Sequence, residues 1–188
     1  MREADLIEKS INGDVKSFEL LIKDYQVYAY NIALRMMKNP EDAKDVSQDA
    51  LIKVYKNIKR FKKDSSFSTW LYRIVINTCK DELKRRKETI SIDEREESYD
   101  VIESKDNNYN PVTEYERKDI REKINGAIYK LPINNRTAII LRDIEGYSYE
   151  EISKIEETTI GTIKSRINRG RKILREILKA ELQTVSEF

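Results

Sequence analysis

The chain contains no histidine and a single cysteine, Cys79, among its 188 residues. Without histidine, the Ser-His-Asp and Cys-His nucleophile systems and most catalytic zinc sites are excluded. With one cysteine there is no internal disulfide and no cysteine-ligated zinc. Cys79 falls at the edge of an apolar helix face and is expected to be a reduced, half-buried thiol. Glycine occurs five times and proline three times, which is enough to punctuate helices but not to build many tight turns. There is no Gly-rich phosphate loop. No apolar run approaches the ~18 residues of a membrane span. The start, MREADLIEKS, lacks the apolar stretch of a signal peptide. A soluble, cytoplasmic protein without membrane insertion is therefore expected. Carboxylate-only metal chemistry survives these absences as a possibility.

What the chain has in quantity is charge. Charged residues make up 37% and hydrophobic residues 39%, so its cores are small and its surface is dense in ions. The net charge of +2 hides a strong segregation. Residues 1–49 carry seven basic and ten acidic side chains, and residues 51–87 carry twelve and three. Residues 88–116 then carry two basic and ten acidic, residues 117–159 eight of each, and residues 160–179 seven and one. Two basic patches separated by an acidic stretch point to two nucleic-acid contacts and not to one general polyanion surface.

The hydrophobic period is helical throughout. Arg2 to Ile11 reads as a short helix stopped by Asn12-Gly13. Asp14 can cap a second helix to about Lys38, with Phe18, Leu21, Ile22, Tyr25, Ala29, Ile32 and Met36 as its apolar stripe. Asn39-Pro40 breaks it, and a third helix runs to about Phe61 with Ala43, Val46, Ala50, Val54, Ile58 and Phe61 inward. Residues 88–116 show no sustained period and read as an acidic flexible linker, whose carboxylates nothing fixes into a metal site. Beyond it, a helix from about Thr113 to Lys130 is expected to bury Ile120, Ile124, Ala127, Ile128 and Leu131. Leu131-Pro132 ends that helix, Asn134 or Asn135 can cap the next, and Gly146 stops it. The fold class is thus all-α. Two small helical domains, 1–87 and 117–182, flank the linker, and 183–188 form a tail.

The basic stretch Phe61–Lys87 carries the first candidate contact. Ser68 is the expected N-cap of one long helix. Leu71, Ile74, Val75 and Thr78 share one face; Arg73, Asn77, Lys80, Lys84 and Lys87 share the other. Phe67, Trp70 and Tyr72 sit at its N-terminal end, where flat rings could stack on exposed bases or could instead fill the bundle core. The second candidate is C-terminal. Ser148-Tyr149-Glu150-Glu151 is a capping box ahead of a short helix with Ile152 and Ile155. A break at Glu156–Thr159 follows, then a long helix from Ile160 with Ile160, Ile163, Ile167, Leu174 and Ile177 inward and Gly170 on the same side. Lys164, Asn168, Arg171 and Arg175 form its outward stripe, beside Ser165, Arg169 and Lys172. This is a helix-turn-helix pattern, and its Arg and Asn side chains suit guanine and adenine edges while Lys and Ser suit phosphates.

Both stretches resemble the extracytoplasmic-function (ECF) sigma factors of the sigma-70 family. The first resembles their promoter-melting segment through Asp64, Ser65, Phe67, Ser68, Thr69, Trp70, Leu71, Tyr72, Arg73, Ile74, Asn77, Asp81, Leu83, Arg85 and Arg86. The run from Asp42 to Leu51 is similar to the segment that grips the β′ clamp helices of RNA polymerase, with Ser47 and Ala50-Leu51 as mild departures. Leu131-Pro132, Arg136, Leu141-Arg142-Asp143, Gly146–Ile152, Gly161–Arg166 and Arg169-Gly170-Arg171 resemble the −35-binding domain. Glu156-Glu157 stand where that family usually has Leu-Gly, and Thr158 stands where it has an apolar residue. The glycine there permits a positive φ, so this turn either strains Glu157 or differs.

The resemblance implies function by binding, with no catalytic residue, metal or cofactor. Asp45, Gln48 and Asp49 would contact core RNA polymerase. Lys62, Lys63, Ser65, Phe67, Trp70, Asn77, Lys80, Lys84, Arg85 and Arg86 would contact the −10 element, with Asn77 and the loop Lys62–Phe67 on an unstacked base of the non-template strand. Thr162, Lys164, Ser165, Arg166, Asn168, Arg169, Arg171, Lys172 and Arg175 would contact the −35 element. Implied partners are core polymerase (β′ clamp helices and β flap), promoter DNA and an anti-sigma factor, in a cell-envelope or stress response. Two rival readings are a stand-alone helix-turn-helix regulator and a carboxylate-metal nuclease. The carboxyl-rich first domain and the aromatic-basic helix argue against the regulator. The concentration of carboxylates in the linker argues against the nuclease.

Overall fold

Helices stop where asparagine, glycine and proline interrupt the period. The computed structural model describes residues 2–90 and 111–185, and the side chains of 2–87 and 120–180. Helix α1 (Glu3–Ile11) ends at Asn12, and Gly13 turns the chain at φ 95°. Asp14 caps α2 (Val15–Met37), its carboxylate accepting from the Lys16 amide at 3.1 Å and the Ser17 hydroxyl at 2.7 Å. The Ser17 bond is the main cause of the lowered pKa of Asp14. Asn39 caps α3 (Pro40–Asn57) through the Glu41 and Asp42 amides, and a 3-10 turn, Ile58–Arg60, follows. The cap of α4 (Phe67–Ile90) is Ser66 and not Ser68: the Ser66 hydroxyl oxygen accepts from the Thr69 amide at 3.1 Å, and Ser68 lies inside the first turn.

The three long helices of the first domain meet along their predicted stripes. Leu21, Ile22, Ala29, Ile32 and Met36 of α2 pack with Ala43, Val46, Ala50 and Val54 of α3 and with Leu71, Val75 and Ile76 of α4. Cys79 lies fully inside this core, not half-buried, and burial pushes its thiol pKa up to about 12. A thiol so far from ionising is inert at neutral pH.

The second domain is α5 (Pro111–Tyr129), α6 (Ile133–Ile139) continuing through a π-type turn at Ile140–Ile144, α7 (Tyr149–Ile155) and α8 (Ile160–Val185). Helices α4 and α5 therefore take up both ends of the expected linker, and its middle, 91–110, lies outside the described residues, as do 186–188 of the tail. Three expectations of burial and capping are corrected here. Ile120 and Ile124 are 55% and 40% exposed, because α5 reaches the core only through Ala127, Ile128 and then Leu131. Ile160 is exposed at the first turn of α8, and the inward stripe begins at Ile163. No asparagine caps α6; the Pro132 carbonyl takes the Asn135 and Arg136 amides instead, each at 2.9 Å. The capping box of α7 is present in full, with Ser148 and Glu151 exchanging hydrogen bonds. No helix among the described residues is long and apolar enough to cross a membrane.

The two domains touch. Helix α7 lies against α4, and α5 against α2. Arg136 is buried, with its guanidinium stacked 4.3 Å from the Tyr129 ring centre. Its Nη1 donates across the interface to the Met36 carbonyl at 2.8 Å, while Nη2 donates to the carbonyls of Tyr129 and Leu131. Glu145 pairs with Arg35 at 3.2 Å, and the Tyr147 ring meets Tyr72 edge-on at 5.9 Å.

Helix α8 crosses α6 at Gly170, where an added Cβ would stand 2.7 Å from Ile139 Cγ1. Gly170→Ala is therefore expected to lower the urea stability of the chain by about 1–3 kcal/mol, the usual range for overpacking.

Candidate nucleic-acid interface

Helix α4 divides its residues by period. Asn77 and Lys84 stand exposed on one face, and Lys62 and Lys63 are exposed in the loop that enters the helix. Lys63 holds a left-handed backbone at φ 59°, which is uncommon for a residue with a Cβ and bends the loop at that point. Ser65 is half-buried there. Phe67 and Trp70, by contrast, are only 3% and 8% exposed. They pack with each other at 5.8 Å and with Phe61, and Tyr25 meets Phe67 edge-on at 5.3 Å. Tyr72 is buried as well. In this conformation these rings are core and present no face to a base. Mutual packing of Phe61, Phe67, Trp70 and Tyr25 closes this end of the bundle.

The cations of α4 are largely engaged. Arg86 reaches Asp42 with both terminal nitrogens and Glu82 through Nε, tying the end of α4 to the start of α3. Asp42 is the main cause of its raised pKa. Arg85 also bonds Glu82, whose carboxyl that bond holds below its usual range. Lys80 Nζ donates to Glu156 at 2.7 Å and Arg73 Nη1 to Glu157 at 2.6 Å, both across to the second domain. Asn77, Lys84 and Lys87 thus remain the exposed polar groups of the stripe.

Helix α8 presents what its period predicts. Lys164, Asn168, Arg169, Arg171, Lys172 and Arg175 are exposed. Thr162 and Ser165 are half-buried, and Thr159 caps the helix by accepting from the Thr162 amide at 3.2 Å. Arg166 is turned back on Glu156 at 2.7 Å. Two supporting residues escaped the sequence reading. Asp143 accepts from Nε and Nη2 of Arg171 at 3.0 and 2.5 Å, which fixes that guanidinium and leaves Nη1 outward. Tyr149 lies under both Arg142 and Lys164, at 4.8 and 5.7 Å from its ring centre. Both belong to motifs already noted, but their roles depend on how the end of α6 and the start of α7 meet α8.

On α3, Asp45, Gln48 and Asp49 are exposed, and Ile52 and Tyr55 add exposed apolar surface to the same helix.

A helical bundle with one cationic helix, joined to a helix-turn-helix with another, has the architecture of a two-domain DNA-binding protein. Comparison with known proteins identifies which one. The profile of sigma-70 region 2 matches residues 21–89, and that of sigma-70 region 4 matches residues 121–174. The chain is 34% identical over 187 residues to the RNA polymerase sigma-H factor of Pseudomonas aeruginosa, covering 97% of this chain and 96% of the relative. It is 36% identical over 173 residues to the ECF RNA polymerase sigma-E factor of Haemophilus influenzae, covering 90% and 91%. Among solved structures it is similar to the sigma factor RpoE of Bartonella quintana, seen in complex with the anti-sigma factor NepR. That match has a TM-score of 0.71 and 26% identity, over 88% of this chain and 98% of the other. CnrH, solved with the cytosolic domain of CnrY, shares the fold at a TM-score of 0.66 and 22% identity.

The chain belongs to the ECF sigma factors of the sigma-70 family. It is a transcription initiation factor, which binds core RNA polymerase and directs promoter recognition and melting. A stand-alone regulator would match over the helix-turn-helix alone, and the match to region 2 excludes it.

Proposed function

We propose that the work of a sigma factor is divided between residues 1–87 and residues 117–182. The first unit docks Asp45, Gln48 and Asp49 on the β′ clamp helices and opens the −10 element. Asn77 supports this most directly: it is an exposed amide on a buried-backed helix, placed between cations, able to bond a base edge once the base leaves the stack. Lys62 and Lys63 guide the strand, and Lys80, Lys84, Arg85 and Arg86 supply charge to its phosphates. Phe67 and Trp70 serve by bracing the start of α4 from within the core.

The second unit lays α8 in the major groove of the −35 element and meets the β flap. Asn168 and Arg171 read base edges. Thr162, Lys164, Ser165, Arg166, Arg169, Lys172 and Arg175 hold the backbone or line the groove. Asp143 orients Arg171 so that less freedom is lost on binding. The mechanism is binding and strand separation without catalysis, metal or cofactor, in the cytoplasm where polymerase works. An anti-sigma factor controls the free protein within a cell-envelope or stress response, a reading supported by the anti-sigma complex of its structural relative from Bartonella quintana.

Transcription by bacterial core polymerase plus this chain, from a library of random promoters, should select starts sharing one −35/−10 pair. An absence of transcripts would remove the assignment of both units. Asn77→Ala should leave core binding intact and reduce opening of duplex promoters; equal opening would exclude Asn77 as a base reader. Arg171→Ala should weaken −35 binding by about 1–3 kcal/mol with a base-specific component, and Asp143→Asn should reproduce a smaller part of that loss. Unchanged discrimination among −35 variants would refute base reading by Arg171.

A further inference from the structure

The turn of the helix-turn-helix carries two carboxylates that the DNA-reading role of α8 does not use. Glu156 has no exposed side-chain surface, and its two oxygens accept from Lys80 of α4 and Arg166 of α8, each at 2.7 Å. Glu157, next in the chain, holds a left-handed backbone at φ 49° and accepts from Arg73 of α4 at 2.6 Å. Arg73, Asn77 and Lys80 lie one above another on α4 at spacings of four and three. The two glutamates therefore bracket Asn77, one on each side. The same interface continues through Arg35 with Glu145, Tyr72 with Tyr147, and Arg136 with the Met36 carbonyl.

A strand that brings a base to Asn77 has to carry its phosphates past Arg73 and Lys80. In the free chain those cations already face carboxylates. Reading two separate promoter elements also requires the two domains to lie apart, and the contacts above hold them together.

We propose that the turn at Glu156-Glu157 is an internal phosphate mimic that clasps α4, keeping the free chain closed and single-stranded DNA off Asn77 until core polymerase separates the domains. The DNA half of this proposal rests on the reading of α4 as the −10 contact; the closure half does not. Charge repulsion and loss of the bridge in one step make Glu157→Arg an opening substitution, and pairing it with Arg73→Glu restores an attractive pair of reversed sign.

Small-angle scattering of the full chain, without DNA or polymerase, reads closure. In about 0.1 M salt, where exposed pairs still act over a Debye length, Glu156→Gln/Glu157→Gln and Glu157→Arg should both increase the radius of gyration with unchanged helical circular dichroism. Arg73→Glu/Glu157→Arg should return it to the wild-type value. Fluorescence anisotropy with a labelled single strand of mixed sequence, about a dozen nucleotides long, reads access; the glutamine pair should bind it about tenfold more tightly than wild type, a usual size for coupling between sites. An unchanged radius in every variant, or an opened Glu157→Arg that the reversed pair fails to close, overturns the clasp. An increased radius with no gain in single-strand affinity overturns the exclusion of DNA; an opened chain whose single-strand affinity is unchanged by Lys84→Glu overturns the placing of the −10 contact on α4.

Discussion

Arg136 is a buried cation without a carboxylate. Its guanidinium is met by three backbone carbonyls and one aromatic face: Met36 in the last turn of α2, Tyr129 at the last residue of α5, Leu131 in the turn after it, and the Tyr129 ring. These are the carbonyls that a helix end leaves unpaired, and they carry the negative end of the helix dipole. One planar fork thus satisfies the ends of two helices in two domains and fixes the approach of α6 to both. Burial lowers the arginine's pKa, yet it stays ionised because arginine begins so far above neutrality. Remove it and several buried carbonyls lose their donor together, which costs more than a single surface contact. The packing of α5, α6 and α2, and through them the position of the helix-turn-helix over α4, follows from this residue.

Charge then sorts the surface into ions that build and ions that bind. Arg86, held by Asp42 and Glu82, spends its fork on closing α3 against α4. Asn168, Lys164 and Arg175 are exposed and make no ion pair among the described residues. Arg171 lies between these cases, since Asp143 fixes it without using all its donors. A guanidinium already oriented loses less entropy when it meets a base, whereas a lysine on a flexible stem contributes position-independent charge. This division fits a protein whose affinity comes from phosphates and whose selectivity comes from a few base contacts.

The α-helical order of the chain was legible because its signals are local. Asp14, Asn39, Pro40 and the Ser148–Glu151 box act within four residues of themselves, and the stripes of α2 and α3 repeat without interruption. The faults in the reading arose where a residue's surroundings come from far along the chain. Ile120 and Ile124 keep the helical period but lie on a part of α5 left exposed among the described residues. Ser66 won the cap of α4 from Ser68 by a shift of two residues, which is within the usual ambiguity of a helix end. Phe67 and Trp70 could have stacked on DNA or on each other, and only the packing of Phe61 and Tyr25 around them decides. The exposed stripes of α4 and α8 were readable from their period. The ion pairs that occupy Arg73, Lys80 and Arg166 were not, because their acidic partners are ten to eighty-four residues away in sequence.

Glu157 shows how a local penalty and a distant contact balance. A residue with a Cβ at φ 49° costs roughly 1–2 kcal/mol relative to glycine. Glycine at that position would relieve the strain and present the recognition helix equally well, so the backbone alone gives no reason for glutamate. Its exposed pair with Arg73 is worth at most about 1 kcal/mol in water, which does not clearly offset the strain. The balance changes when Glu156 is included. Its carboxylate has no contact with water and two cations on it, and Glu157 beside it keeps the turn pressed to α4. Glu156 ties the turn to α8 through Arg166 and to α4 through Lys80, so the pair favours one arrangement of the domains as well as the turn. That arrangement is marginal by construction, since its exposed half is weak and its buried half regains hydration on opening. A contact of this strength holds two small domains together in a free chain and yields to the larger surface of a polymerase, which is what a dissociable initiation factor requires.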